Sequence, residues 1–82
     1  MKSMIFSEAI EKRRKVNFFY DDLLIEIEPY FLAMDKFGHK VVYGKVTGTD
    51  AVRKFEFFKI SNLRVLLQGF APALPLYTGT YN

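Results

Sequence analysis

Arg53, Phe55, Phe57 and Lys59 are the part of this sequence best suited to chemistry. At the period of a strand they share one face, while Val52, Lys54, Glu56 and Phe58 share the other. Two rings bracketed by two cations suit an anion with a flat or apolar body. The rings can bury or stack, and the cations stay at a wet rim. The same spacing is equally served if Arg53 and Lys59 pair with strand carboxylates such as Glu26 or Glu28 and recognise nothing. Tyr20, Tyr30, Tyr43, Phe58, Lys45, Lys54 and Arg64 extend the interleaving of rings and cations. Nine phenylalanines in a small core also produce such interleaving by chance. The ligand-binding candidates are Arg53, Lys59, Tyr20, Tyr43 and Lys45.

Catalytic chemistry is poorly provided for. His39 is the only histidine and there is no cysteine, so no second imidazole or thiolate exists to complete a transition-metal site. His39 reads as a surface residue at the start of a strand, and no metal or cofactor is expected. Ser3 and Ser7 read as helix caps and Ser61 as a corner residue, none of them in a nucleophile elbow. Asp21 and Asp22 form a turn pair, and Glu26 and Glu28 face cations such as Lys45 or Arg53. The glycines are scattered and cradle no phosphate. An enzyme is not expected.

The elements that must position these side chains follow from hydrophobic period. Ile5, Phe6, Ala9 and Ile10 form one helical stripe over residues 3–14, which Arg13 continues with its stem. Glu8 and Glu11 precede Lys12-Arg13-Arg14-Lys15, a distribution that complements a helix dipole without invoking nucleic acid. From Lys15 the period becomes two. Val16, Phe18 and Tyr20 mark a first strand, and Leu23, Ile25 and Ile27 the next, with Pro29 at an edge or bulge before Tyr30–Ala33. Asp35-Lys36-Phe37-Gly38 turns into a third strand, His39–Val46, and Thr47–Asp50 into a fourth, Val52–Phe58. Ile60-Ser61-Asn62 reads as a tight corner before a fifth strand through Leu63, Val65 and Leu67. The class is mainly β. One helix precedes five short strands, too few for a sandwich, so the sheet is expected to curl into a small barrel with the helix across an open end or edge. Residues 1–70 form the domain. Residues 71–82, with Pro72-Ala73-Leu74-Pro75, form a mobile or loosely packed tail, although that spacing also suits a polyproline ligand.

Composition is consistent with this. Half of the 82 residues are apolar and 17% are aromatic, enough for a compact core without disulfides. The net charge of +3 permits an anionic partner without requiring one. The apolar run Met4-Ile5-Phe6 is too short for a signal peptide, and no run approaches a membrane span, so a cytoplasmic location and no membrane partner are expected.

The order of these pieces resembles the WYL domain, a small Sm-like or SH3-like barrel found mostly in bacterial transcription regulators. Ala9-Ile10-x-x-Arg13-Arg14-x-Val16-x-Phe18-x-Tyr20 is similar to that family's opening helix and first strand. Glu28-Pro29-Tyr30-x-Leu32 resembles its "EPY-x-L" segment, and Arg53-x-Phe55-x-Phe57-x-Lys59-Ile60 resembles its "R-x-F-R-L-D-R-I" strand. Gly38 followed by a strand and Leu63-x-Val65-Leu66 with Phe70 complete the series over residues 5–70. Each motif is loose by itself, but five in order are fairly specific. The naming Trp-Tyr-Leu triplet is replaced by Lys40-Val41-Val42, which leaves Tyr43 as the aromatic candidate there. Phe58-Lys59 replaces the Asp-Arg pair, exchanging a guanidinium fork for a point charge, and the arginine that commonly precedes "EPY" has no equivalent.

The resemblance implies an SH3/Sm-like ligand-sensing domain, in some relatives binding single-stranded nucleic acid or nucleotide-like anions, with Tyr20, Arg53 and Lys59 matched by position. Its implied setting is transcriptional or defence regulation, as a stand-alone or excised member, since no helix-turn-helix fits within these residues. The alternative is a protein-interaction or self-associating domain, docking a protein partner or a second copy through a sheet edge or apolar patch.

Overall fold

The computed structural model describes residues 1–71, so the expected tail lies outside them except for Ala71. Helix α1 (Lys2–Glu11) is followed by strands β1 (Arg14–Tyr20), β2 (Leu23–Met34), β3 (Lys40–Val46) and β4 (Val52–Glu56). A single 3-10 turn (Phe57–Lys59) then leads into β5 (Ile60–Gly69). All five strands form one antiparallel sheet in the order β4-β3-β2-β1-β5.

The helix forms where the stripe runs, with Phe6 and Ala9 buried, but its ends differ from expectation. No side chain caps its start. The Ile5 N–H donates to the Met1 carbonyl, and the Ser3 hydroxyl instead accepts from Lys40. The helix stops at Glu11 because Arg13 takes a left-handed backbone (φ 57°) that turns the chain into β1. Arg13 therefore does not extend the stripe, and Arg13, Arg14 and Lys15 lie beyond the helix dipole. Lys12, at the C-cap, pairs with Glu8 at 2.6 Å. The Arg13 carbonyl accepts the Phe70 N–H and ties down the end of β5.

The strands follow the expected alternation. Val16 and Phe18 of β1, Ile27 of β2, Val42 of β3 and Phe55 of β4 are fully buried. Asp21 and Asp22, both left-handed (φ 50° and 65°), make the two-residue turn that joins Tyr20 to Leu23. The Asp35–His39 turn closes with Gly38 N–H donating to the Asp35 carbonyl and Asp35 N–H to the His39 carbonyl, Gly38 taking the left-handed position.

The sheet is bent back on itself. β1 and β4 are separated by β2 and β3, about 14 Å if the sheet were flat. Yet Phe55 of β4 meets Phe18 and Tyr20 of β1 edge-on, with ring centroids 5.3 and 5.0 Å apart. The Glu56 N–H also donates to the Tyr20 hydroxyl at 3.1 Å. Bulges permit this curvature, one at Tyr30 in β2 and two in the β1–β5 ladder. Pro29 sits beside the first of these, in a central strand. Helix α1 covers the concave side, where Phe6 stacks on Phe57 at 5.3 Å and meets Phe18 edge-on. Among the described residues no polar or charged residue is buried.

Three expectations are corrected. β4 ends at Glu56, not Phe58: the 3-10 turn keeps Phe57 in the core and swings Phe58 out to 61% exposure. Ile60–Asn62 is no corner, since Ile60 pairs with Tyr20 and Asn62 (φ 53°) stays within β5. The sheet is not closed into a barrel. β4 and β5 are its two edges, joined through the 3-10 turn rather than by a ladder. No helix among the described residues is long and apolar enough to cross a membrane.

The tightest point of the bend is Gly44, which opposes Pro29. A Cβ there would stand 2.7 Å from both the Glu28 carbonyl oxygen and Ile27 Cδ1. Backbone cannot yield as a flexible side-chain tip can. Gly44→Ala should therefore cost about 1–3 kcal/mol, read as a lower denaturant midpoint.

Candidate functional site

Strand alternation divides the five ligand-binding candidates between two faces. Arg53 opposes Gly44 and Phe55 opposes the buried Val42, so Arg53 and Phe55 share the concave side. Tyr43 and Lys45, one residue either side of Gly44, point to the convex side. The structure thus brings Tyr20, Arg53 and Lys59 together at the mouth of the bend and leaves Tyr43 and Lys45 elsewhere.

At the mouth, the Arg53 guanidinium lies over the Phe55 ring, its Cζ 4.7 Å from the centroid. Tyr20 packs edge-on against that ring from the other side and holds the Glu56 N–H on its hydroxyl. Lys59 pairs with Glu56 at 3.1 Å. That hydrogen-bonded carboxylate raises the Lys59 pKa, with smaller contributions from Tyr20 and Asp21.

The carboxylates named as alternative partners are engaged by other cations. Glu26 pairs with Lys15, and Glu28 pairs with Lys45 at 3.7 Å while also accepting from the Tyr30 hydroxyl. Lysines thus hold Glu8, Glu26, Glu28 and Glu56, whereas none of the four arginines stands within ion-pair distance of a carboxylate among the described residues. Arg53 is therefore an exposed, ring-backed cation with no carboxylate partner among the described residues. On the convex side, Tyr43 stacks on Phe31 with centroids 4.7 Å apart, and Lys45 donates to the Thr49 carbonyl.

Sequence reasoning missed a third grouping. His39 is exposed at the start of β3, as expected, but the turn sets Asp35 beside it and the β3–β4 register adds Glu56 opposite Val41. Ligand atoms of Asp35, His39 and Glu56 all lie within 4.8 Å of one another. Asp35 Oδ1 accepts the backbone N–H groups of Phe37 (2.9 Å) and His39 (3.0 Å). These bonds, the His39 N–H foremost, lower the Asp35 pKa, with the His39 ring and Lys54 adding to the effect. The four-residue spacing of Asp35 and His39 across a turn was the only local signal. A pocket of about 410 Å³ adjoins, lined by Asp35, Phe37, Tyr43, Lys54 and Glu56 among others.

No protein-family model, curated protein or solved structure matches this chain.

A carboxyl whose pKa is lowered by folding contributes stability that is complete above its ordinary value, 3.8 for Asp35. That contribution is lost as pH falls through the lowered value. Asp35→Asn should therefore flatten the acid limb of a stability-against-pH curve, leaving a smaller loss below the ordinary carboxylate range than wild type shows.

Proposed function

We propose that this chain is a WYL-like regulatory ligand-binding module, its bent sheet acting as an SH3/Sm-like small barrel in transcriptional or defence regulation. Its ligand would be anionic, single-stranded nucleic acid or a nucleotide. The observation that carries this reading is Arg53, presented over Phe55 beside Tyr20 with no carboxylate paired to it among the described residues. A guanidinium in that setting can take a phosphate by two parallel N–H bonds while a base lies against neighbouring apolar surface. The unpaired Arg13, Arg14 and Arg64 add a positive field that favours encounter. Lys59 must exchange Glu56 for the ligand, so it contributes less than Arg53.

The test is a titration with a labelled single-stranded oligonucleotide at low and moderate salt. Binding should weaken with salt, each phosphate contact adding about 0.7 to the slope. Arg53→Ala should reduce both affinity and slope, and Lys45→Ala, on the opposite face, should change neither specifically. Absence of binding, or equal binding by Arg53→Ala, sinks the site.

A second reading has its own observation. The edge strand β5 carries Leu67, 88% exposed, and Val65, which lines a pocket with Ile5 of α1. An open edge with an apolar stripe suits addition of a second copy. Sedimentation over a concentration series should then show a salt-indifferent dimer that Leu67→Lys dissociates; a monomer throughout excludes it.

A further inference from the structure

We propose that Asp35, His39 and Glu56 bind one divalent transition-metal ion, with zinc the best-matched member of the class. The donors come from the end of β2, the start of β3 and the end of β4, so only the folded hairpin and its register assemble them.

The spacing fits an ion better than it fits a salt bridge. Asp35 Oδ2 and His39 Nδ1 are 3.7 Å apart, too far for a hydrogen bond. Two donors bonded to one tetrahedral zinc at about 2.0–2.1 Å stand about 3.3–3.5 Å from each other. The pair is thus within a few tenths of an ångström of the bridged geometry, and Glu56 lies within reach of both.

Each donor is also held in place by contacts that do not consume its free ligand atom. Asp35 has its side chain only 7% exposed; Oδ1 takes two backbone N–H groups, while Oδ2 accepts no hydrogen bond and faces the imidazole. The His39 ring packs edge-on to Phe58 at 5.1 Å and near Phe37 at 6.3 Å. Phe58, left exposed in the 3-10 turn, thereby acquires a role. Glu56 is fixed by pairing opposite Val41, and Lys59 engages its Oε1. Such preorganisation lowers the ordering cost of capturing an ion.

The donor set selects the class. One imidazole with two carboxylates suits zinc, cobalt or nickel, whereas calcium and magnesium prefer all-oxygen sites. Three protein donors leave a fourth position for water or an anion, open to the pocket where Tyr43 and Lys54 stand. Two cations oppose the ion: Lys59 on Glu56 and Lys54 near Asp35. The site therefore binds more weakly than a closed four-ligand centre, and removing Lys59 should strengthen it.

The experiment uses tag-free protein and the metal alone. Co²⁺ is titrated while visible absorption is recorded, and Zn²⁺ is then added in competition. One ion per chain is expected, with displacement of Co²⁺ by Zn²⁺. His39→Ala and Glu56→Gln should each weaken binding about tenfold or more, and Lys59→Gln should tighten it. Zinc should raise the melting temperature of wild type but not of His39→Ala, whose exposed position leaves folding intact. No spectral change at several-fold molar excess of Co²⁺, or equal affinity in His39→Ala, overturns the proposal.

Discussion

The contact of Phe55 with Phe18 and Tyr20 is the constraint on which the other features depend. It joins two strands that a flat sheet would hold far apart, and it converts an open ladder into a two-sided wrapping around one aromatic core. The approach needs a backbone without a Cβ at Gly44, a missing N–H at Pro29 and an extra residue at Tyr30. Helix α1 then closes the concave side through Phe6, which touches rings from both halves of the bend. That closure buries Phe6 and Ala9 with the sheet's inner rings in one cluster.

Charge is distributed with a comparable economy. Lysines, with compact ammonium groups on flexible stems, reach the nearby carboxylates; the arginines do not. Solvent and salt screen pairs near the surface, so each adds little to stability. They neutralise these acids, while the Arg53 guanidinium lies over the Phe55 ring.

Glu56 links the two sides of the molecule. Its backbone N–H is held by Tyr20 at the mouth, and its side chain meets Lys59 on one hand and approaches His39 and Asp35 on the other. It is also the last residue of β4, where the chain leaves the sheet so that Phe57 can stay buried.

The sequence by itself determined what depends on near neighbours. The helical stripe of Phe6 and Ala9, the alternation of Val16 with Phe18 and of Ile25 with Ile27, and the aspartate and glycine turns are set by period and local backbone preference. Five strands after one helix were legible for that reason. Of the candidate site, Arg53 and Tyr20 were legible as residue types, and their meeting was not. The left-handed Arg13 that ends the helix early and the break after Glu56 were decided by tertiary packing, which overrode the local pattern. The open edges, the opposite facing of Tyr43 and Arg53, and the convergence of Asp35, His39 and Glu56 rest on register between strands distant in the chain. A shift of one residue in that register would exchange every face, and no local spacing encodes it.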